Sequence, residues 1–165
     1  MFKIISRYLV YIVYFLGVGM VSSGIVLMPF NRMRYGTILV IGLLLFSTGS
    51  FINEVIIDKK HLSFKESVKL VIVSLTLAIG IGMISGGIAH FKESPIYVSY
   101  LIPIGIMVSF ISFKVKNNFE LSNKNYVTLI IILFVITVIL HLGLSVAANA
   151  MLNTTPGGDI FKGHK

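Results

Sequence analysis

Five long apolar runs fill most of this chain, and their length decides the solvent in which it folds. The runs cover residues 8–28, 36–57, 67–89, 96–113 and 126–148. A helix needs roughly 20 apolar residues to cross a hydrocarbon core about 30 Å thick, because each residue adds about 1.5 Å. Every run is close to or above that length. The sequence therefore predicts an all-α membrane protein, a bundle of five transmembrane helices.

The composition agrees with a membrane protein made of one domain. Of the 165 residues, 56% are hydrophobic and 12% are charged, and the mean hydropathy is +0.94. Soluble proteins carry about 25% charged residues. The breaks between the runs are too short to hold a separate soluble module. We therefore expect a single transmembrane domain over residues 1–153 and a short extracytoplasmic tail over residues 154–165.

The 14 basic residues predict the orientation of the bundle. If alternate breaks lie on opposite sides of the membrane, nine basic residues fall on the side of the N-terminus and five on the other. Basic residues are enriched in cytoplasmic loops, so we expect the N-terminus in the cytoplasm and the C-terminus outside. The net charge of +8 is spread over the breaks, which favours anionic lipid headgroups over nucleic acid as the partner. The predicted location is the plasma membrane.

The absence of cysteine narrows the possible chemistry. With no cysteine in the chain, disulfides, thiolate metal ligands and cysteine nucleophiles are excluded. A metal ion would need histidine, carboxylate, methionine or backbone oxygen. Walker, His-Glu-x-x-His and Gly-x-Ser-x-Gly motifs are also absent from the sequence, so an enzymatic role is not favoured.

Small residues and one proline predict how the helices pack. Glycines stand seven residues apart in three of the runs, at Gly17 and Gly24, Gly42 and Gly49, and Gly80 and Gly87. Such pairs lie almost on one helix face, where they let two backbones approach closely. We expect packing within the bundle; the alternative is a surface that joins copies or a larger partner. In the fourth run Pro103 removes a helical N–H, which predicts a kink near Ile102.

Glu54 is a carboxylate near the predicted cytoplasmic end of the second run. Asn53 stands beside it, and Lys59 and Lys60 follow shortly after. A carboxylate at membrane depth can relay protons or bind a cation. The alternative is an ion pair with a nearby lysine at the membrane interface.

The fifth run carries a polar stripe that predicts a buried histidine. The stripe repeats every four residues and consists of Thr137, His141, Ser145, Asn149 and Asn153. An unpaired polar side chain is costly in hydrocarbon, so we expect His141 to face the bundle. There it can bond a serine, a threonine or a backbone carbonyl of the next helix, or it can act as a ligand.

His90 ends the third run on the same predicted outer side as His141. Helix rise alone places the two histidines within about 10 Å of each other in depth. Two imidazoles on facing helices suit copper, zinc or haem iron. Met83, two turns below His90, and Asp159 or His164 in the tail could complete the ligand set. His61, in a basic loop, is expected to be solvated.

Two classes of function follow from these residues. The first is a small membrane accessory protein that holds a metal ion or haem near its outer face through His90 and His141, with Asp159 as a further metal ligand. The second is a scaffold or transport subunit, in which glycine-rich faces join a second copy or a larger membrane complex and the polar stripe lines a path.

Overall fold

The structure, a computed structural model, describes residues 2–57, 63–117 and 119–154. Its helices are α1 (Phe2–Leu27), α2 (Arg32–Phe51), α3 (Phe64–Ala89), α4 (Pro95–Lys116) and α5 (Asn123–Thr154), and α2 continues as a π-helical segment over Ile52–Ile57. All five are long and apolar enough to cross a membrane. The prediction of an all-helical protein with five membrane-spanning helices is confirmed. The predicted tail beyond Thr154 lies outside the described residues.

Polar caps set the points at which α2 and α3 begin, and a proline begins α4. The side chain of Asn31 accepts a hydrogen bond from the Arg34 N–H at 3.0 Å and so caps α2. Ser63 and Glu66 form a reciprocal capping box at the start of α3. Pro95 opens α4, where its missing N–H costs nothing. These caps satisfy N–H groups that the first turn of a helix leaves without partners.

The helices form a series in which each packs on the next, in the order α2, α1, α3, α4, α5. Glycine contacts show that α1 runs antiparallel to α2, because Gly17 meets Phe46 while Gly24 meets Leu39. In the same way α3 runs antiparallel to α4 and parallel to α1. One end of the bundle, the N-terminal end, therefore gathers the starts of α1, α3 and α5 with the ends of α2 and α4. The opposite end is the C-terminal end.

The predicted glycine pairs lie inside these helix contacts. A Cβ added to Gly17 would stand 2.5 Å from the Phe46 backbone nitrogen of α2, and one on Gly80 would stand 2.6 Å from the Ser109 nitrogen of α4. Real Cβ atoms essentially never show distances below 3.0 Å. These faces are therefore used within the chain, as the spacing predicted, and they are not open to a second molecule.

The apolar core lies toward the C-terminal end. Val26 of α1 packs with Val98, Leu101 and Ile102 of α4, and all four are buried. α4 continues as a helix through Pro103. It is the most enclosed of the five helices. In its most apolar stretch of 18 residues 39% of the residues are buried, whereas in that of α5 the share is 6%. Helix α5 thus packs along one side, mainly on α4, and leaves most of its surface uncovered.

Candidate functional site

The contact between α4 and α5 centres on a backbone carbonyl that a proline leaves without its helical donor. In a regular helix the N–H of residue 103 would donate to the carbonyl oxygen of residue 99. Pro103 has no N–H. His141 of α5 takes that place, with its Nδ1 at 2.9 Å from the Ser99 carbonyl oxygen. A proline in one helix is thus compensated by a histidine in the next.

This bond also fixes the state of the imidazole. A carbonyl oxygen can only accept a hydrogen bond, so Nδ1 must carry the proton. In a neutral imidazole the lone pair then lies on Nε2. Metal-bound histidines in proteins commonly have this arrangement, with one ring nitrogen donating to a carbonyl and the other left to coordinate.

One side chain lies against the ring, and a second joins α5 to the same residue of α4. The Tyr100 ring lies against the imidazole, with 4.4 Å between ring centroids and a tilt of 41°. Ser145, one turn further along α5, donates to the Ser99 hydroxyl oxygen at 3.4 Å, and that hydroxyl donates to the Ile96 carbonyl at 2.8 Å. Ser99 therefore receives α5 at two points, through its carbonyl and through its side chain.

The polar stripe faces α4 for only part of its length. Thr137 is buried and donates to the Phe134 carbonyl, whereas Asn149 and Asn153 are exposed. A step of four residues advances the direction of the side chain by about 40° beyond a full turn. Four steps turn it by about 160°, so a stripe that starts on α4 ends on the far side of α5. Asn149 bonds the Ser145 carbonyl of its own helix.

His141 lines an apolar groove between α4 and α5. The groove has a volume of about 320 Å³. Its walls are Tyr100, Pro103, Ile104, Met107, Val108, Phe134, Thr137 and Val138. Tyr100, Ile104 and Phe134 are more than half exposed, so the groove opens to the side of the bundle, where a membrane would place lipid. It joins one imidazole to a largely hydrocarbon surface.

His90 has a different partner from His141. It caps the C-terminus of α3, and its Nδ1 lies 3.4 Å from an Oε1 of Glu93 in the turn that leads to α4. His141 bonds α4 one turn after that helix begins. The two histidines are therefore at the same end of the bundle, but each imidazole contacts its own partner.

Of the remaining predicted ligands, the structure describes only Met83. Met83 is partly buried and packs against the apolar core. His61, Asp159 and His164 lie outside the described residues. Within residues 2–57, 63–117 and 119–154, no three His, Asp or Glu side chains come together as a metal-binding group.

Glu54 pairs with a lysine that the sequence analysis did not consider. Its Oε1 lies 3.4 Å from the Nζ of Lys116 at the end of α4. Glu54 thus has an ion-pair partner on another helix, whereas Lys59 and Lys60, which the sequence analysis named near it, lie outside the described residues. Glu54 and Lys116 are far apart in the sequence, and only the packing of the bundle brings the ends of their helices together. The sequence alone therefore could not identify this pair.

A backbone carbonyl of the next helix was among the expected partners of His141, but its identity as Ser99 was missed. Pro103 identifies residue 99 as the carbonyl without a helical donor, and His141, which is partly buried, is the donor on the neighbouring helix. Reading the two residues together would have predicted the contact.

Comparison with known proteins gives no relatives. No protein-family model, no curated protein and no solved structure matches this chain.

Proposed function

We propose that this protein is a multi-pass accessory protein of the plasma membrane that binds haem in the groove between α4 and α5, with His141 as an axial ligand. The observation that carries the proposal is the bond from His141 Nδ1 to the Ser99 carbonyl at 2.9 Å. That bond leaves Nε2 as the coordinating nitrogen of a ring that lines an apolar groove. Haem needs only one or two axial ligands and apolar walls for its faces.

Haem fits this site better than a bare metal ion. A structural zinc site needs four protein ligands, and a catalytic one needs three. The described residues hold no group of three such ligands around His141. For copper or zinc, the further ligands would have to be His90, with Asp159 from the tail. For haem, His90 would be the second protein ligand, although it contacts Glu93 and does not line the groove. The same experiment tests both roles of His90.

The test is a titration of the purified protein with haemin and, separately, with copper and zinc. We expect the wild type to bind about one haem per chain, with a sharp absorbance band. His141→Gln keeps an N–H that can reach the Ser99 carbonyl but lacks the coordinating ring nitrogen. Its affinity should fall by more than about tenfold, since loss of even a supporting contact costs that much. Asn149→Ala is the matched control on the same helix. Asn149 is exposed and bonds the Ser145 carbonyl of its own helix outside the groove, so this variant should bind normally.

Two results would count against the haem site. One is a wild type that binds no haem, and the other is His141→Gln that binds as tightly as wild type. A loss of about tenfold in His90→Ala would identify His90 as the second ligand, and unchanged binding would remove it from the site. Binding of copper or zinc without binding of haem would show that His141 holds a metal ion instead of haem.

A second proposed function is a scaffold subunit, and the uncovered surface of α5 favours it. The glycine faces are used inside the chain, so a partner would have to dock elsewhere. Only 6% of the residues in the apolar stretch of α5 are buried, and a second copy or a larger membrane complex could cover the exposed residues of this helix. The mass of the protein in mild detergent, measured together with bound haem, decides between them. An oligomer without haem supports the scaffold, and a monomer with haem supports the binding protein.

The orientation belongs to the proposal as well. We place the N-terminus in the cytoplasm and the C-terminus outside, because nine of the 14 basic residues fall, by their order in the sequence, in the breaks assigned to the side of the N-terminus. The groove of His141 then lies in the outer half of the membrane.

A further inference from the structure

A small pocket with several polar side chains lies at the N-terminal end of the bundle, opposite to the His141 groove. It has a volume of about 160 Å³ and is lined by Val10, Tyr11 and Tyr14 of α1, Ser50, Asn53 and Glu54 at the end of α2, and Lys116 of α4. Asn53 and Glu54 belong to the π-helical segment. A π-helical turn changes the direction of the side chains that follow it and is often found at functional sites.

Of the described residues that line the pocket, one is acidic and one is basic, and both are partly buried. The Glu54 side chain is 10% exposed and that of Lys116 is 24% exposed, with 3.4 Å between Oε1 and Nζ. Charge-assisted hydrogen bonds in proteins are shorter, at about 2.7 to 2.9 Å. The two groups therefore form an ion pair that is longer than a charge-assisted hydrogen bond, and both line the same cavity.

The position of the pocket matches the headgroup region of a membrane. Glu54 ends the second candidate span and Lys116 ends the fourth. Tyr11 and Tyr14 lie nearby, and tyrosine is enriched at this level of the bilayer. The groups that lipids present at this depth are phosphates and the substituents attached to them.

We propose that this pocket binds the headgroup of phosphatidylethanolamine, independently of any ligand at His141. Lys116 supplies an ammonium donor for the phosphate, and the hydroxyls of Tyr11 and Tyr14 are further donors. Glu54 accepts hydrogen bonds from the ethanolammonium group. Phosphatidylglycerol has no ammonium group to meet Glu54. Phosphatidylcholine has a quaternary ammonium that cannot donate a hydrogen bond. The mixed charge of the pocket thus selects a headgroup with both a phosphate and a protonated amine.

The test is lipid retention by the purified protein. The wild type, reconstituted in equal parts of the three lipids and then extracted in mild detergent, is weighed by native mass spectrometry. We expect phosphatidylethanolamine to be retained at least about threefold over each of the other two lipids. The double variant Glu54→Gln/Lys116→Met removes both charges together, so that neither is left unpaired in the membrane. It should lose that enrichment while remaining folded.

Lys114→Met is the matched control for the loss of a lysine. Lys114 is at the same end of α4, but its Nζ lies 4.8 Å from the ring centroid of Tyr126 on α5, away from the pocket. This variant should retain phosphatidylethanolamine like the wild type. Equal retention of the three lipids by the wild type overturns the proposal, and so does unchanged enrichment in the double variant.

Soluble competitors separate the lipid from its free headgroup. Phosphoethanolamine added in excess should displace the lipid, and inorganic phosphate at the same concentration should not. Displacement by inorganic phosphate to the same extent would show an anion site at Lys116 with no role for Glu54, and would overturn the proposal as stated.

Discussion

The Ser99 carbonyl of α4 lacks its helical hydrogen-bond donor and accepts a hydrogen bond from α5 instead. Pro103 removes the helical donor, and the Nδ1 of His141 supplies another at 2.9 Å. In membrane helices, carbonyls freed by proline are commonly satisfied from neighbouring helices. A carbonyl left without any partner in a membrane is costly. The contribution of His141 to stability should therefore depend on the residue at position 103.

A double-mutant cycle tests this dependence. His141→Ala should destabilise the wild type by more than it destabilises Pro103→Ala, because alanine at that position returns an N–H to the backbone of α4. The difference should be about 0.6 to 1.7 kcal/mol, the range measured for hydrogen bonds between membrane helices. The free energy of unfolding in detergent micelles is the quantity to compare. Equal losses in the two backgrounds would show that Ser99 has no need of His141.

At the scale of the helix, close approach of backbones holds α1 to α2. Gly17 faces the Phe46 backbone, whereas a Cβ added to Gly19, two residues further along α1, would have no atom of another helix within 4 Å among the described residues. Glycine at position 17 is thus required for close packing on α2, whereas glycine at position 19 is not, because the two residues lie on different faces of α1.

Alanine at these two positions should give opposite results. Gly17→Ala places a methyl group 2.5 Å from the Phe46 nitrogen, so α1 and α2 must separate, at a cost of about 1 to 3 kcal/mol. Gly19→Ala should leave stability unchanged or raise it, because alanine favours the helix by about 1 kcal/mol over glycine. Thermal unfolding in one detergent compares the pair. Equal melting temperatures would contradict the contact.

The sequence predicted this helix packing better than it predicted the polar contacts. Long apolar runs indicate spanning helices, and the glycine pairs that begin at Gly17 and Gly80 indicate close approach, because both signals are local. The helix ends are less well predicted, since α1 begins at Phe2 and α5 ends at Thr154. Hydropathy indicates only the residues that suit a lipid environment. The ends of a helix are set by its backbone hydrogen bonds, which extend beyond the apolar run. The partners of Glu54 and His141 depend on tertiary packing, which no single run encodes.

At the scale of the whole molecule, the unequal distribution of basic residues implies one orientation in the membrane. Phe30, between α1 and α2, and Leu121, between α4 and α5, are both exposed and lie at opposite ends of the bundle. The chain has no cysteine of its own, so a single introduced thiol reports the position of each end without background.

Labelling of intact cells with a membrane-impermeant maleimide tests the proposed orientation. Phe30→Cys should react before permeabilisation, because the C-terminal end of the bundle is placed outside. Leu121→Cys should react only afterwards. The reverse pattern would invert the bundle and move the His141 groove to the cytoplasmic half of the membrane.

The sideways opening of the α4–α5 groove has a consequence for how any occupant arrives. Tyr100, Ile104 and Phe134 border it and are more than half exposed, so a molecule dissolved in the bilayer can enter by lateral diffusion without crossing water or parting any helices. Occupancy would then follow the mole fraction of that molecule among the lipids. Diluting the sample with buffer would leave the groove filled, and diluting it with lipid would empty it.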